Sequence, residues 1–185
     1  MKLLKCLAFL VFIFSVKCIA QNDRSVEKGL FKVNFLTPGL AYEIGLSDFS
    51  TLHLEAGSGF IISGGSNRNT DFSFFPYFQP EYRYYYNFKR RNRLEKNVTN
   101  NSANYFAGFS RISSGKALIG DRNYSSDYFT TYGVLYGLQR TYSSGFNLGF
   151  QLGAGVEFND EWESNFGPQL GFSLGWVINS HKNRL

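Results

Sequence analysis

From Phe146 to Phe158 the chain reads FNLGFQLGAGVEF, and every second residue is apolar: Phe146, Leu148, Phe150, Leu152, Ala154, Val156, Phe158. Between them stand Asn147, Gly149, Gln151, Gly153, Gly155 and Glu157, all small or polar. A period of two belongs to a β-strand, whose successive side chains point to opposite faces, and a helix cannot gather such a set on one side. QLGFSLGWVI repeats the pattern, with Leu170, Phe172, Leu174, Trp176 and Ile178 opposite Gln169, Gly171, Ser173 and Gly175. Any fold for this chain must give each strand one bulky apolar face and one nearly bare face.

The alternation continues along the chain. TLHLEAGSGFII sets Leu52, Leu54, Ala56, Phe60 and Ile62 against Thr51, His53, Glu55, Gly57 and Gly59. FSFFPYFQPEYRYYYNF sets Phe72, Phe74, Phe78, Tyr82, Tyr84, Tyr86 and Phe88 against Ser73, Gln79, Glu81, Arg83 and Asn87. LAYEIGL and YFTTYGVLYGLQ follow suit, whereas LFKVNFL and NYFAGFSRIS are weaker, and the last does not reveal its outer face. A turn at Thr37-Pro38-Gly39 makes eight strands, since Pro and Gly suit turns. Without it, one long first strand leaves seven. Single-chain bacterial barrels have even strand numbers, which favours eight.

The choice of face decides the environment. A soluble barrel turns its apolar face inward. Here the apolar face carries bulky rings and the other is crowded with glycine, which suits the narrow interior of an eight-stranded barrel. With the apolar face outward, Lys32, Glu43, Glu55, Glu81, Arg83 and Glu157 share the lumen. Reversed, Arg83 alone would cost roughly 2–4 kcal/mol near a bilayer midplane. The expected fold is therefore an all-β, eight-stranded antiparallel up-and-down transmembrane β-barrel. Aromatic residues near strand ends, Tyr82, Tyr84, Tyr86, Phe88, Tyr142, Phe158 and Trp176, are expected to form girdles at the membrane–water interfaces.

The start, MKLLKCLAFLVFIFSVKCIAQ, has the charged, apolar, small-residue order of a secretory signal peptide, with cleavage expected after Ala20. Its apolar run is short for an uncleaved anchor, and Lys17 before Cys18 is out of keeping with lipoprotein processing. Residues 1–20 are thus read as the signal, 21–28 as a short N-terminal segment, 29–178 as the barrel and 179–185 as a polar tail. Both cysteines, Cys6 and Cys18, lie in the signal. Loss of Lys2, Lys5 and Lys17 takes the 19 basic residues to 16 against 14 acids, so the formal charge of +5 falls to +2 and nucleic-acid binding is not expected.

No catalytic pattern emerges. The histidines are His53 and His181, without a metal-binding spacing, so no metal or cofactor is expected. His53 and Glu55 come closest to part of a Ser/His/acid set, but they point to the interior, and the chain is read as a non-enzyme. The interior charges are read as a paired plug fixing strand register, with a narrow ion path through the same carboxylates as the alternative. Lys89-Arg90-Arg91-Asn92-Arg93 opens a long basic connection, read as a solvated, disordered turn or a contact for anionic head groups.

QLGFSLGW resembles the C-terminal assembly signal of outer-membrane proteins through Gln169, Gly171, Leu174 and Trp176, although the chain continues past it to Leu185. That resemblance implies recognition by the barrel-assembly machinery. Residues 29–178 resemble the small outer-membrane β-barrel proteins of Bacteroidota, of OmpA/OmpX-like eight-stranded type, in the stretches FKVNFLTPGLAYEIGLSDFSTLHLEAG and PEYRYYYNF. The likeness implies a monomer in the outer membrane of a Gram-negative bacterium, in contact with lipid and lipopolysaccharide. The function expected on this basis is structural or surface-interacting. A narrow pore, a lipid-modifying enzyme and a soluble lipocalin-like binder are the alternatives.

Overall fold

A computed structural model describes residues 25–65, 68–120 and 123–181; the expected signal segment 1–20 lies outside them. Eight strands follow one another around a closed ring: β1 (Gly29–Asn34), β2 (Gly39–Gly45), β3 (Ser50–Gly65), β4 (Arg68–Tyr84), β5 (Asn104–Lys116), β6 (Asn123–Thr141), β7 (Phe146–Asn159) and β8 (Ser164–His181). Each pairs antiparallel with the next, and β8 closes on β1 with a register shift between Phe31 and Lys32. The chain turns at residues 35–38, giving eight strands rather than seven. β8 continues through Asn179–His181, pairing there with Gly29–Phe31.

The alternation sorts side chains as its period demands. Leu40, Tyr42, Phe78, Tyr82, Tyr132, Leu152, Leu170 and Phe172 are exposed on the outer face, while Lys32, Glu43, Thr51, His53, Gln79, Glu81, Arg83, Gln139 and Asn147 are buried inside. β5, ambiguous in sequence, turns Tyr105, Ala107 and Phe109 inward and Phe106 and Ile112 outward.

Inward rings fit because the neighbouring strand is bare opposite them. Tyr105 pairs with Gly137 and Phe109 with Gly133 across the β5–β6 ladder. A Cβ at Gly137 would overlap the Tyr105 ring, and one at Gly133 would meet Phe109 Cε1 at 2.7 Å. Glycine on one strand thus makes room for an aromatic ring on the next, which keeps a narrow interior filled.

The two ends differ. At one lie the β1–β2, β3–β4, β5–β6 and β7–β8 connections, called here the hairpin end. At the other lie the start of β1, the end of β8 and the connections 46–49, 85–103 and 142–145, called the terminus end. The β4–β5 connection, expected as a disordered turn, instead carries a helix α1 (Phe88–Arg93) and a 3-10 turn (Thr99–Asn101). Its Tyr85, Phe88, Val98 and Ala103 form one apolar cluster with Val26, Tyr105, Ala107, Phe109 and Leu135, closing the terminus end. Phe88, expected in a girdle, is buried here, because the strand stops at Tyr84 and its alternation stops with it. Polar pins hold the connection down: Asn97 Nδ2 donates to Thr141 O at 2.7 Å, Asn104 N to Asn87 Oδ1 at 2.9 Å and Thr141 N to Ser102 Oγ at 2.8 Å.

Candidate functional site

The interior of the barrel holds the strongest concentration of chemistry, and it is built from neighbouring strands at matching heights. Glu43 on β2 stands beside His53 on β3, which in turn stands beside Glu81 on β4. Period two sends all three inward, where water is scarce and each charge needs partners.

Glu43, fully buried, collects the most donors. Oε2 takes Lys32 Nζ at 3.0 Å and lies 3.7 Å from Arg83 Nη1. Oε1 accepts from Thr51 Oγ1 at 2.9 Å, Tyr85 OH at 2.6 Å and Asn101 Nδ2 at 2.9 Å. Two of these donors, Tyr85 and Asn101, belong to the closing connection, so one carboxylate ties the plug to the wall. Asn100 and Asn101 have positive φ angles of 51° and 58°, a conformation that asparagine tolerates better than most residues. Asn101 also accepts from Glu27 N at 2.8 Å through its Oδ1.

A second carboxylate, Glu81, receives Arg83 Nε at 2.6 Å and Gln151 Nε2 at 3.0 Å, and a short bond from Gln79 Nε2. Glu55 accepts from Asn34 Nδ2 at 3.0 Å and Tyr77 OH at 2.9 Å, with His53 Nε2 at 3.3 Å. Gln139 Oε1 bridges the cations, accepting from Lys32 Nζ at 2.8 Å and Arg83 Nη1 at 3.3 Å. Arg83 also lies over the Tyr105 ring, 4.5 Å from its centroid. The structure therefore brings together Lys32, Glu43, Glu55, Glu81 and Arg83, as their shared parity required.

Glu157 does not join them. It has the inward parity but sits near the hairpin end, exposed, within 3.5 Å of Thr131 Oγ1. Alternation reports a face, not a height. The interior gains Arg111 instead, on the strand whose faces the sequence left open. The sequence suggested a surplus of acid; three carboxylates (Glu43, Glu55, Glu81) face three cations (Lys32, Arg83, Arg111) among the described residues of this interior. The sequence reading also lacked the neutral partners Tyr85, Asn101, Tyr105, Gln139 and Gln151. The inward parity of Gln139 and Gln151 was visible, whereas the roles of Tyr85 and Asn101 depend on how the connection folds back.

Toward the hairpin end the network opens into a cavity of about 480 Å³ lined by His53, Glu55, Tyr77, Gln79, Arg111 and others. Among the described residues no cluster of three or more His, Cys, Asp or Glu side chains could hold a metal ion. Beyond the strands, Asp160 accepts a hydrogen bond from the Asp127 N–H at 2.8 Å, which holds its carboxyl below the usual range.

The outer surface carries rings in contact with one another. Near the terminus end Tyr86, Phe106 and Tyr136 pack at 5.1–6.4 Å, and Trp176 lies 5.3 Å from Phe35 and 5.5 Å from Phe146. Tyr82, Tyr84, Tyr86, Tyr142 and Trp176 are exposed there as expected, and Phe158 packs on Tyr132 at 6.4 Å nearer the other end. The residues expected to form an assembly signal lie on β8, with Leu174 and Trp176 on the outer parity and Gln169 and Gly171 on the inner.

No curated protein and no solved structure matches the chain. A family model described as "Protein of unknown function (DUF3575)" matches residues 6–171. With the match running through all the strands up to the middle of β8, this eight-stranded barrel belongs to the DUF3575 family.

Proposed function

We propose that the protein is an outer-membrane β-barrel, exported by a cleaved signal, with a structural or surface-interaction role. The observation that carries this reading is the outer face. Leu40, Tyr42, Phe78, Ile112, Tyr132, Val134, Leu152, Leu170 and Phe172 stand exposed around the ring, while Lys32, Glu43, Glu81 and Arg83 are buried inside. Monomeric soluble proteins rarely expose contiguous apolar surface beyond a few hundred Å², and a belt of this kind is what a hydrocarbon solvent selects. The ring contacts near the terminus end support an interfacial girdle.

In this reading the terminus end faces the periplasm and the longer hairpins face outward, toward lipopolysaccharide and extracellular partners. The likeness to small OmpA/OmpX-type barrels of Bacteroidota supports a monomer assembled by the barrel-assembly machinery. A pore is the second reading, since the lumen carries charge. The connection 85–103 speaks against it, because its apolar cluster and Asn101 close one mouth. A lipid-modifying enzyme has no comparable support: His53 is buried and paired with Glu55 rather than presented to the outer face.

Fractionation of expressing cells tests the proposal. The protein is expected to sediment with outer membranes after an alkaline carbonate wash and to leave planar bilayers electrically silent. Recovery in the soluble periplasmic fraction would refute membrane residence, and steady single-channel conductance would favour the pore.

A further inference from the structure

β1 and β2 are only 6 and 7 residues long, whereas β8 and β3, which flank them, have 18 and 16. β8 pairs with β1 only from Gly175 onward, with one more bond from Phe35 N to Leu174 O. β3 pairs with β2 only up to Gly57, with one more bond from Ser58 N to Pro38 O. Past the β1–β2 turn, residues 59–65 of β3 and 164–173 of β8 therefore have no ladder partner among the described residues on the sides that face each other. The wall is notched there. The interior cavity reaches the notch, because its lining joins the inward Gln79 and Arg111 to Phe60, Leu170 and Phe172 on the outer face of the two flanking strands.

We propose that this notch is a lateral entrance for an amphiphile with one acyl chain and an anionic head, carboxylate or phosphate. The head lies on Arg111 and the chain runs out between β3 and β8 into the surrounding lipid. The inference rests on the membrane reading given above.

Charge complementarity identifies the head. Lys32 and Arg83 are each paired with a glutamate, but no carboxylate among the described residues lies within 4.0 Å of Arg111. Its Nε donates to Gln79 Oε1, and its guanidinium lies 5.5 Å from the Tyr77 ring centroid and 5.7 Å from that of Phe109. Among the described residues its other N–H groups have no hydrogen-bond acceptor, which leaves a planar donor fork suited to carboxylate or phosphate oxygens. Apolar Phe60, Leu170 and Phe172 at the mouth suit the chain, and Leu170 is 72% exposed. A volume of about 480 Å³ falls within the range of small-molecule pockets.

Native mass spectrometry of the full mature protein, released from detergent, tests this with decanoate as probe. The wild type is expected to carry decanoate or decyl phosphate, to refuse decyltrimethylammonium and acetate, and to bind longer chains more tightly. Arg111→Gln is expected to raise the half-saturating decanoate concentration about tenfold or more, and Arg111→Lys by less. Equal binding of decanoate and decyltrimethylammonium by the wild type overturns the proposal, whether or not the variants fold. So does decanoate binding indifferent to Arg111→Gln, or a stable dimer that seals the notch. A membrane-extracted band whose gel mobility changes on boiling, but which binds no decanoate, overturns the notch alone. Recovery as a soluble protein overturns the membrane reading with it.

Discussion

Replacing Glu43 with alanine is expected to lower the stability of the folded barrel by roughly 3–5 kcal/mol, the usual cost of removing one partner from a buried ion pair. The loss is large because one carboxylate serves several donors. Among the described residues Lys32 would keep only Gln139 as a hydrogen-bond acceptor, and Thr51, Tyr85 and Asn101 would each lose the acceptor on which they converge. Glu43→Gln is expected to cost less, since its amide oxygen still accepts, although Lys32 and Arg83 are then left with less neutralising charge. The measurement is a urea titration of the folded band on a gel run without boiling. Because Tyr85 and Asn101 sit on the closing connection, limited proteolysis of Glu43→Ala should also cut within residues 86–103 sooner than in the wild type. An unchanged urea midpoint for Glu43→Ala would show that the interior network does not hold the barrel.

Gly137→Ala should be disruptive out of proportion to the single methyl group it adds. The new Cβ points at the Tyr105 ring, which has little freedom to yield. Its hydroxyl accepts from Gln151 Nε2 at 2.9 Å, Arg83 lies over its face, and Tyr85 packs against it with ring centroids 5.3 Å apart. Overpacking of this kind costs about 1–3 kcal/mol, and Gly137→Val should cost more. Gly108→Ala is the control, because a Cβ there meets nothing within 4 Å. Combining Gly137→Ala with Tyr105→Ala should cost less than the sum of the two single changes, since the small residue relieves the overlap. Strict additivity in the urea titration would contradict the cross-strand glycine–aromatic packing.

How much of this was legible in advance follows from what alternation can encode. It reports which face a side chain takes, so the inward set Lys32, Glu43, Glu55, Glu81 and Arg83 was readable before any contact was known. It does not report height, so Glu157 was placed in a network whose level it does not reach. Nor does it report where a strand stops, so Phe88 was carried four residues past Tyr84 on a parity that no longer applied. β5 was unreadable for a different reason. Both of its faces carry bulk, Tyr105 and Phe109 inward and Phe106 and Ile112 outward, and the room for the inward rings comes from Gly133 and Gly137 on another strand. Arg111 was missed with it. The closing connection reads as a polar, basic turn because its order is tertiary. Asn87, Asn97 and Asn101 act through hydrogen bonds to backbone and side-chain atoms distant in sequence, and no local period announces them.

The most direct measurement for the whole account is the gel mobility of the protein from isolated outer membranes, boiled and unboiled. A closed barrel with its apolar face in lipid and its charges paired inside should resist detergent at room temperature and migrate differently once boiled. A membrane-embedded band that shifts on boiling is the predicted result. An unshifted band recovered from the soluble periplasmic fraction would contradict the account, because the exposed belt of Tyr, Phe and Leu side chains would then have no lipid to face.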